Sequence, residues 1–286
     1  MGDRVIVVVG ATGNVGRALV RQLAAEGRAV RGLTRDPSRA GLPDGVEPVR
    51  ADFSRPAGPG AWERLFAGAT TLFLNPGGVG DAAEDLMAAA TRAGVTRVVL
   101  LSSGAITDEA TARRNAIAAY HHTAERAVRA GAAEWTLLRP NSFAVNVLAY
   151  APQIRAGDDV RGPYGDAAMA PIHEGDIAAV AARALLEDGH HGRVYRLTGP
   201  EAVTTAEQIR IIGAALGRSL RFTEMPHSEA ARLHPHMPAA FLDVMLGAFA
   251  AAVGTEPEIT TTVEDVTGAP ARTFARWAAD HVADFR

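Results

Sequence analysis

The run Val5-Ile6-Val7-Val8-Val9-Gly10-Ala11-Thr12-Gly13-Asn14-Val15-Gly16 decides the fold. Five β-branched residues in succession describe a strand buried on both faces. Glycines at 10, 13 and 16 end it and open a helix in which Val15, Leu19 and Leu23 recur every four residues, with Gly27 as the stop. Such a turn needs one glycine for a tight bend, one for close backbone approach to a ligand, and one for close helix–strand packing. The amides thereby left free, together with the positive end of the helix dipole, suit a pyrophosphate. A Gly-rich turn alone is only a turn. Placed at the start of a strand–helix–strand unit, it implies dinucleotide binding.

Outward from this run the alternation continues. β-rich segments at 29–33, 46–50, 71–74, 98–101 and 135–138 are separated by stretches of helical spacing, including Leu86, Met87 and Ala90 before Gly94, and Ile117, Ala124 and Val128 before Gly131. The pattern predicts an α/β protein with a doubly wound parallel Rossmann sheet. After Pro140 the texture changes, so the expected division is 1–140 for the NAD(P)-binding domain and 141–286 for a smaller α/β part that covers the substrate and is interleaved with the core. Within that part, Asp176 reads as the N-cap of a helix bearing Ile177, Val180, Ala181, Ala184 and Leu185. Thr204 and Glu207 form a capping box, and Pro270 opens the last helix, with Phe274, Ala278 and Val282 on its face.

The end of the second strand selects the nicotinamide cofactor. A carboxylate there accepts hydrogen bonds from a ribose 2′-hydroxyl, whereas an arginine pairs with a 2′-phosphate. The sequence reads Thr34-Arg35-Asp36-Pro37. Arg35 favours NADP (NADPH), and Asp36 beside it leaves NAD as the alternative.

Composition narrows the chemistry. Of 286 residues, 48% are hydrophobic and 21% charged, enough for a buried core. The formal charge of −3 gives no basic footprint for nucleic acid. There is no cysteine, which removes disulfides, thiolate nucleophiles and Cys-ligated metals. All 29 basic residues are arginine, which removes Schiff-base chemistry. The apolar run 5–9 lacks the flanks of a signal peptide, and 241–253 is too short to span a bilayer. A cytoplasmic protein without membrane or nucleic-acid partners, acting on a small molecule as monomer or homodimer, is the expectation.

Several motifs together resemble a known group. Gly-Ala-Thr-Gly-Asn-Val-Gly at 10–16 and Leu-Thr-Arg-Asp-Pro at 33–37 are joined by Val-Val-Leu-Leu-Ser-Ser at 98–103. Further on stand Trp-Thr-Leu-Leu-Arg-Pro-Asn-Ser-Phe at 135–143, Pro-Ile-His-Glu-Gly-Asp-Ile-Ala at 171–178 and Gly-Ala-Pro-Ala-Arg-Thr-Phe at 268–274. The chain resembles the atypical short-chain dehydrogenase/reductases, in particular the NmrA-like and NAD(P)H:quinone-oxidoreductase-like branch. That resemblance implies cofactor contacts from Gly10, Thr12, Gly13, Asn14, Val15, Gly16 and Arg35, from Asp52 and Phe53 near the adenine, and from Asn75, Pro76 and Gly77 along the cofactor. It also implies that Ser102 and Ser103 face the nicotinamide.

Catalysis departs from the wider superfamily, whose Tyr-x-x-x-Lys dyad cannot exist without lysine. The family register puts Ile117 at the tyrosine position and His121 at the lysine position, with Tyr120 out of register. The candidate catalytic residues are therefore His121, Ser102 and Ser103, with His122 a lesser candidate. Hydride addition to an ordinary ketone makes an alkoxide whose conjugate acid has a pKa of roughly 15.7, whereas a quinone gives a phenolate near 10, a difference of about 8 kcal/mol. A site without the dyad suits an electron-poor acceptor such as a quinone, enone, azo compound, imine or activated ketone. Phe143, Tyr150 and Tyr164, with Met225 and Met245, are candidates for an apolar substrate pocket, and each is equally compatible with the core. His227, His234 and His236 lack metal-site spacing, so no metal is expected. The rival readings are a non-catalytic NADP(H)-binding redox sensor and a non-redox enzyme, an isomerase or cyclase, on the same fold.

Overall fold

Val5–Val9 (β1) lies in the middle of a sheet, where Ile6, Val7, Val8 and Val9 are each at most 4% exposed. The computed structural model describes residues 5–54 and 60–286. Val30–Thr34 (β2) and Val46–Arg50 (β3) lie to one side of β1. To the other lie Ala69–Leu74 (β4), Arg97–Leu101 (β5), Glu134–Pro140 (β6) and Arg193–Leu197 (β7). The order is β7-β6-β5-β4-β1-β2-β3, and the pairings from β3 through β6 are parallel. The strand order reverses at β1, which opens a crevice at the C-terminal strand ends, the usual ligand position in this architecture. β3 is one edge: Glu47, Pro48 and Arg50 occupy it, residues that blunt further pairing.

The sheet is covered on both faces. Val7, Val9, Leu72, Leu74, Val98 and Leu100 share a core with Leu86, Met87 and Ala90 of helix Ala83–Arg92 (α2) and with Ala124 and Val128 of Ala116–Gly131 (α3). The residues between them, Ile6, Val8, Phe73 and Val99, are equally buried. Helix Asn14–Ala25 (α1) buries Val15, Leu19 and Leu23 as its spacing predicts, and packs against Glu174–Leu186 (α4), with Gln22 Nε2 donating to the Gly175 carbonyl at 3.0 Å.

The chain forms two units. One comprises the described residues within Met1–Arg113, Ala118–Pro140 and Glu174–Arg196; the other comprises Arg114–Ile117, Asn141–His173 and Leu197–Arg286. Glu174–Arg196 thus belongs with the sheet and not with the C-terminal part, because α4 packs on α1 and β7 extends the sheet beyond β6. β7 escapes sequence reading: Arg193 and Arg196 interrupt its pattern, and Arg193 and Val194 are exposed. Asp176 is buried inside α4 and is not its N-cap.

The second unit is built from two-stranded pairs and helices. Its core gathers Ile154, Val160, Ile209, Ile212, Phe274, Trp277 and Phe285. Thr204 and Glu207 form the expected capping box of helix Thr205–Leu216. The last helix is Phe274–Asp280, capped by Thr273 and not opened by Pro270, because the Thr273 hydroxyl accepts from Arg276 N.

One buried charge ties α3 to the ends of β5 and β6. Glu125 is fully buried, and its Oε1 and Oε2 accept from Arg139 Nε at 2.8 Å and Nη2 at 2.7 Å. Ser102 Oγ donates to Oε1 at 2.6 Å, and Arg129 Nη2 lies 3.4 Å from Oε2. Burial by itself would raise this carboxyl's pKa. The hydrogen bonds from Arg139 and Ser102 and the two guanidinium charges outweigh it and hold the group below the usual carboxylate range. Glu125→Gln leaves Arg139 buried against no charge and is expected to cost about 3 kcal/mol in urea unfolding. Because the folded pKa is depressed, the wild-type advantage is full above the ordinary carboxylate value and fades as pH falls through the folded one. A loss under about 1 kcal/mol at neutral pH would remove this cluster from the stability of the fold.

Candidate functional site

The Gly-rich turn divides its three tasks as the residue types suggest. Gly10 has φ +79°, a left-handed conformation, and a Cβ there would also meet Asn75 Cβ at 3.0 Å. Gly16 has no room at all: its Cβ would lie 2.0 Å from the Gly10 carbonyl oxygen. Gly13 donates its N–H to that same oxygen at 3.0 Å and is the N-cap of α1. The helix ladder starts with Arg17 N to Gly13 O at 2.8 Å, so the amides of Asn14, Val15 and Gly16 precede it. No side chain caps this end and no acidic residue occupies the first turn. Such an end accommodates an anion.

A cleft of about 820 Å³ opens beside the turn. Gly10, Thr12, Gly13, Arg35, Asp52, Phe53, Asn75 and Gly77 all line it. The side chains of Asn14, Val15 and Pro76 do not, and Val15 is buried in the core beneath. Thr34, Ser54, Gly80 and Asp85 also line the cleft and were not anticipated, since nothing in their local spacing marks them. Asn75 caps the turn Pro76–Gly78 by accepting Gly77 N–H at 3.0 Å. Tyr120, on α3, donates its phenol to the Pro76 carbonyl at 2.6 Å and so holds this wall from outside.

The end of β2 resolves Arg35 from Asp36. Arg35 is exposed at the cleft wall. The Asp36 carboxylate is turned away, accepting Ser38 Oγ at 2.6 Å and Ser38 N at 3.2 Å to cap the turn Pro37–Arg39. Asp52 likewise accepts Ser54 Oγ at 2.5 Å while lining the cleft. Phe53 packs edge-on to Trp62 with ring centres 5.7 Å apart.

The catalytic candidates separate. Ser102 is 1% exposed and donates its hydroxyl hydrogen bond to Glu125. Ser103 is half-buried; its Oγ accepts Ala105 N–H at 3.2 Å, which leaves the hydroxyl proton to donate. His121 stands one helical turn before Glu125, and its Nδ1 is buried without a hydrogen-bond partner among the described residues. Burial lowers its pKa to about 4, with the charge of Glu125 opposing only in part, so the ring is neutral at pH 7. In the second unit, Phe143 is half-buried on a short strand, Tyr150 packs on Phe222 with ring centres 6.4 Å apart, and Tyr164 hydrogen-bonds His227 Nδ1 at 2.8 Å. Tyr150 and Met245 line one pocket there; Phe143 and Tyr164 are not among its walls.

A parallel sheet whose glycine turn leaves uncapped amides over a deep cleft defines a dinucleotide-binding Rossmann protein. Residues 10–188 match the family described as NAD(P)H-binding. Over 98% of this chain and 99% of the relative, the sequence is 38% identical to a (4-alkanoyl-5-oxo-2,5-dihydrofuran-3-yl)methyl phosphate reductase of Streptomyces griseus. With the same coverages it is 32% identical to an NAD(P)H azoreductase of Xenophilus azovorans. The NADPH-dependent quinone oxidoreductase of Escherichia coli, solved with NADPH, superposes with a TM-score of 0.78 at 25% identity over 96% of this chain and 99% of the other. The chain belongs to the NAD(P)H-binding family and is an NAD(P)H-dependent oxidoreductase. No helix among the described residues is long and apolar enough to cross a membrane.

Two substitutions test the cleft. Gly16→Ala forces α1 away from the turn and is expected to cost about 2 kcal/mol of stability together with most cofactor affinity, read by urea unfolding and calorimetric titration. Unchanged NADPH binding in that variant would mean the close approach is irrelevant to the ligand. Arg35→Ala is expected to weaken NADPH about tenfold, the loss of roughly 1.4 kcal/mol, with little change for NADH. Equal losses for both nucleotides would remove Arg35 from 2′-phosphate recognition.

Proposed function

We propose that the protein reduces small, electron-poor conjugated acceptors with NADPH, an α,β-unsaturated carbonyl compound foremost, with quinones and azo compounds as further members of the class. The observation that carries this reading is that, among the described residues, neither Ser102 nor His121 is placed or charged to act as an acid toward the acceptor. The chain has no lysine, Ser102 is committed to an ionised carboxylate, and His121 is neutral.

When bound, the nicotinamide cofactor supplies a hydride equivalent. The chain's own part is to hold and orient. The α1 amides and the Gly10–Gly13 turn would take the diphosphate, Arg35 the 2′-phosphate, and the Asn75–Gly78 wall, braced by Tyr120, the length of the cofactor. Ser103 donates a neutral hydrogen bond to the acceptor oxygen as charge gathers on it. An ordinary alkoxide needs a full proton, but a phenolate or an enolate conjugated to a second carbonyl needs only such stabilisation, about 8 kcal/mol less demand for an acid. Ser102 positions β5 and is not itself a donor to substrate. The two relatives, a (4-alkanoyl-5-oxo-2,5-dihydrofuran-3-yl)methyl phosphate reductase and an NAD(P)H azoreductase, favour a conjugated acceptor, since both names describe one.

NADPH absorbance followed with a 2-acylbutenolide, a benzoquinone, an azo dye and an unactivated cyclohexanone tests the proposal. Consumption is expected with the conjugated acceptors and not with cyclohexanone. With a His121 pKa of about 4, kcat/KM should stay flat between about pH 6 and pH 8, because no histidine is losing a required proton there. Turnover of cyclohexanone, or a rate falling with an apparent pKa near 6.5, would show an acid in the site and overturn the reading.

A further inference from the structure

The cofactor cleft carries a charge that the anionic parts of a dinucleotide do not explain. Among its described lining residues only Arg35, Asp52 and Asp85 are charged, so two carboxylates share the cleft with a polyanion. Asp52 is committed: its Oδ1 accepts Ser54 N at 3.1 Å and Ser54 Oγ at 2.5 Å. Asp85 is exposed in the first turn of α2 and makes no hydrogen bond or ion pair among the described residues. Glu84 beside it serves the helix dipole equally well and does not line the cleft. The dipole therefore gives no reason for a second carboxylate turned to the ligand.

Position and polarity then choose its partner. The described lining comes from the ends of β1 to β4 and the start of α2, with nothing from β5, β6 or α3, so this is the diphosphate and adenosine half of the site. A carboxylate accepts hydrogen bonds and repels phosphate. With the diphosphate at the α1 amides and the 2′-phosphate at Arg35, the donors left on adenosine are the 3′-hydroxyl and the adenine amine. The 3′-hydroxyl stands on the carbon next to the 2′-phosphate and therefore beside Arg35. Arg35 and Asp85 form no ion pair among the described residues, so they mark separate places along the cleft. Leu33, Ala51, Phe53, Val79 and Ala82 add the apolar surface that a flat base needs.

We infer that Asp85 reads the base of the cofactor, its carboxylate accepting a hydrogen bond from the exocyclic amine of adenine. The inference rests on NADPH as the cofactor with Arg35 on its 2′-phosphate, and adds selectivity at the base. An oxygen in place of that amine, as in hypoxanthine, sets acceptor against acceptor. Such a mismatch rejects a nucleotide of the same size and charge.

Calorimetric titration of the full chain with NADP and with its hypoxanthine counterpart tests this independently of turnover. The wild type is expected to hold NADP about tenfold more tightly, the effect of one hydrogen bond to a charged acceptor. Asp85→Ala should bring the two nucleotides within about twofold of each other. Asp85→Asn should strengthen the hypoxanthine nucleotide more than NADP, because an amide can turn its N–H toward the oxygen. A merely structural role, or a general charge effect on a polyanion, would move both nucleotides alike. Glu84→Gln, in the same helical turn but outside the cleft, should leave the ratio as in the wild type, and thermal melting confirms that each variant is folded. A wild-type ratio near one, or a ratio that survives both Asp85 substitutions while NADP still binds, overturns the inference alone. Failure of both nucleotides to bind the wild type overturns it together with the dinucleotide reading of the cleft.

Discussion

The contact on which the rest depends is the approach of α1 to the turn before it. At Gly16 the helix backbone comes so near the Gly10 carbonyl that a methyl group would lie 2.0 Å from the oxygen. That approach keeps Leu19 and Leu23 fully buried and sets the uncapped amides of α1 over the cleft. Stability and ligand binding therefore share one geometric condition. The same glycine that lets the core close also presents the positive end of the helix, and neither could be relaxed without losing the other.

A second constraint shapes the chemistry. Glu125 is a buried carboxylate held ionised by Arg139 and Arg129, and it accepts a hydrogen bond from the Ser102 hydroxyl. Superfamily relatives with the Tyr-Lys dyad use an ammonium beside the reacting centre to make an acid. Here the cations face Glu125, and the nearest helix position offers a histidine that burial keeps neutral. The charge network is complete within itself, so little of it is available to the substrate. This is the physical reason for placing the burden of charge stabilisation on the acceptor.

The fold was largely legible in the amino-acid sequence. β1 is a run of β-branched residues because both its faces are covered, and α1, α2 and α3 bury the apolar stripes that their spacing marks. β7 was not legible, since an edge strand with arginines at 193 and 196 carries no continuous apolar signal. Asp176 and Pro270 misled because local preference for caps and first turns yielded to packing. Of the cleft, the glycines, Arg35, Asp52 and Asn75 could be named in advance. Tyr120 could not, because its partner is the backbone carbonyl of Pro76, and a carbonyl leaves no mark in a residue pattern.

The small turn after β2 carries a lesson for redesign. Asp36 is the acidic group that would serve a cofactor with a free ribose, yet Ser38 keeps its carboxylate occupied through both backbone and side chain. Converting the preference toward the unphosphorylated coenzyme would thus begin at a serine that touches no nucleotide. Releasing the neighbouring acid comes first, and trimming the guanidinium second.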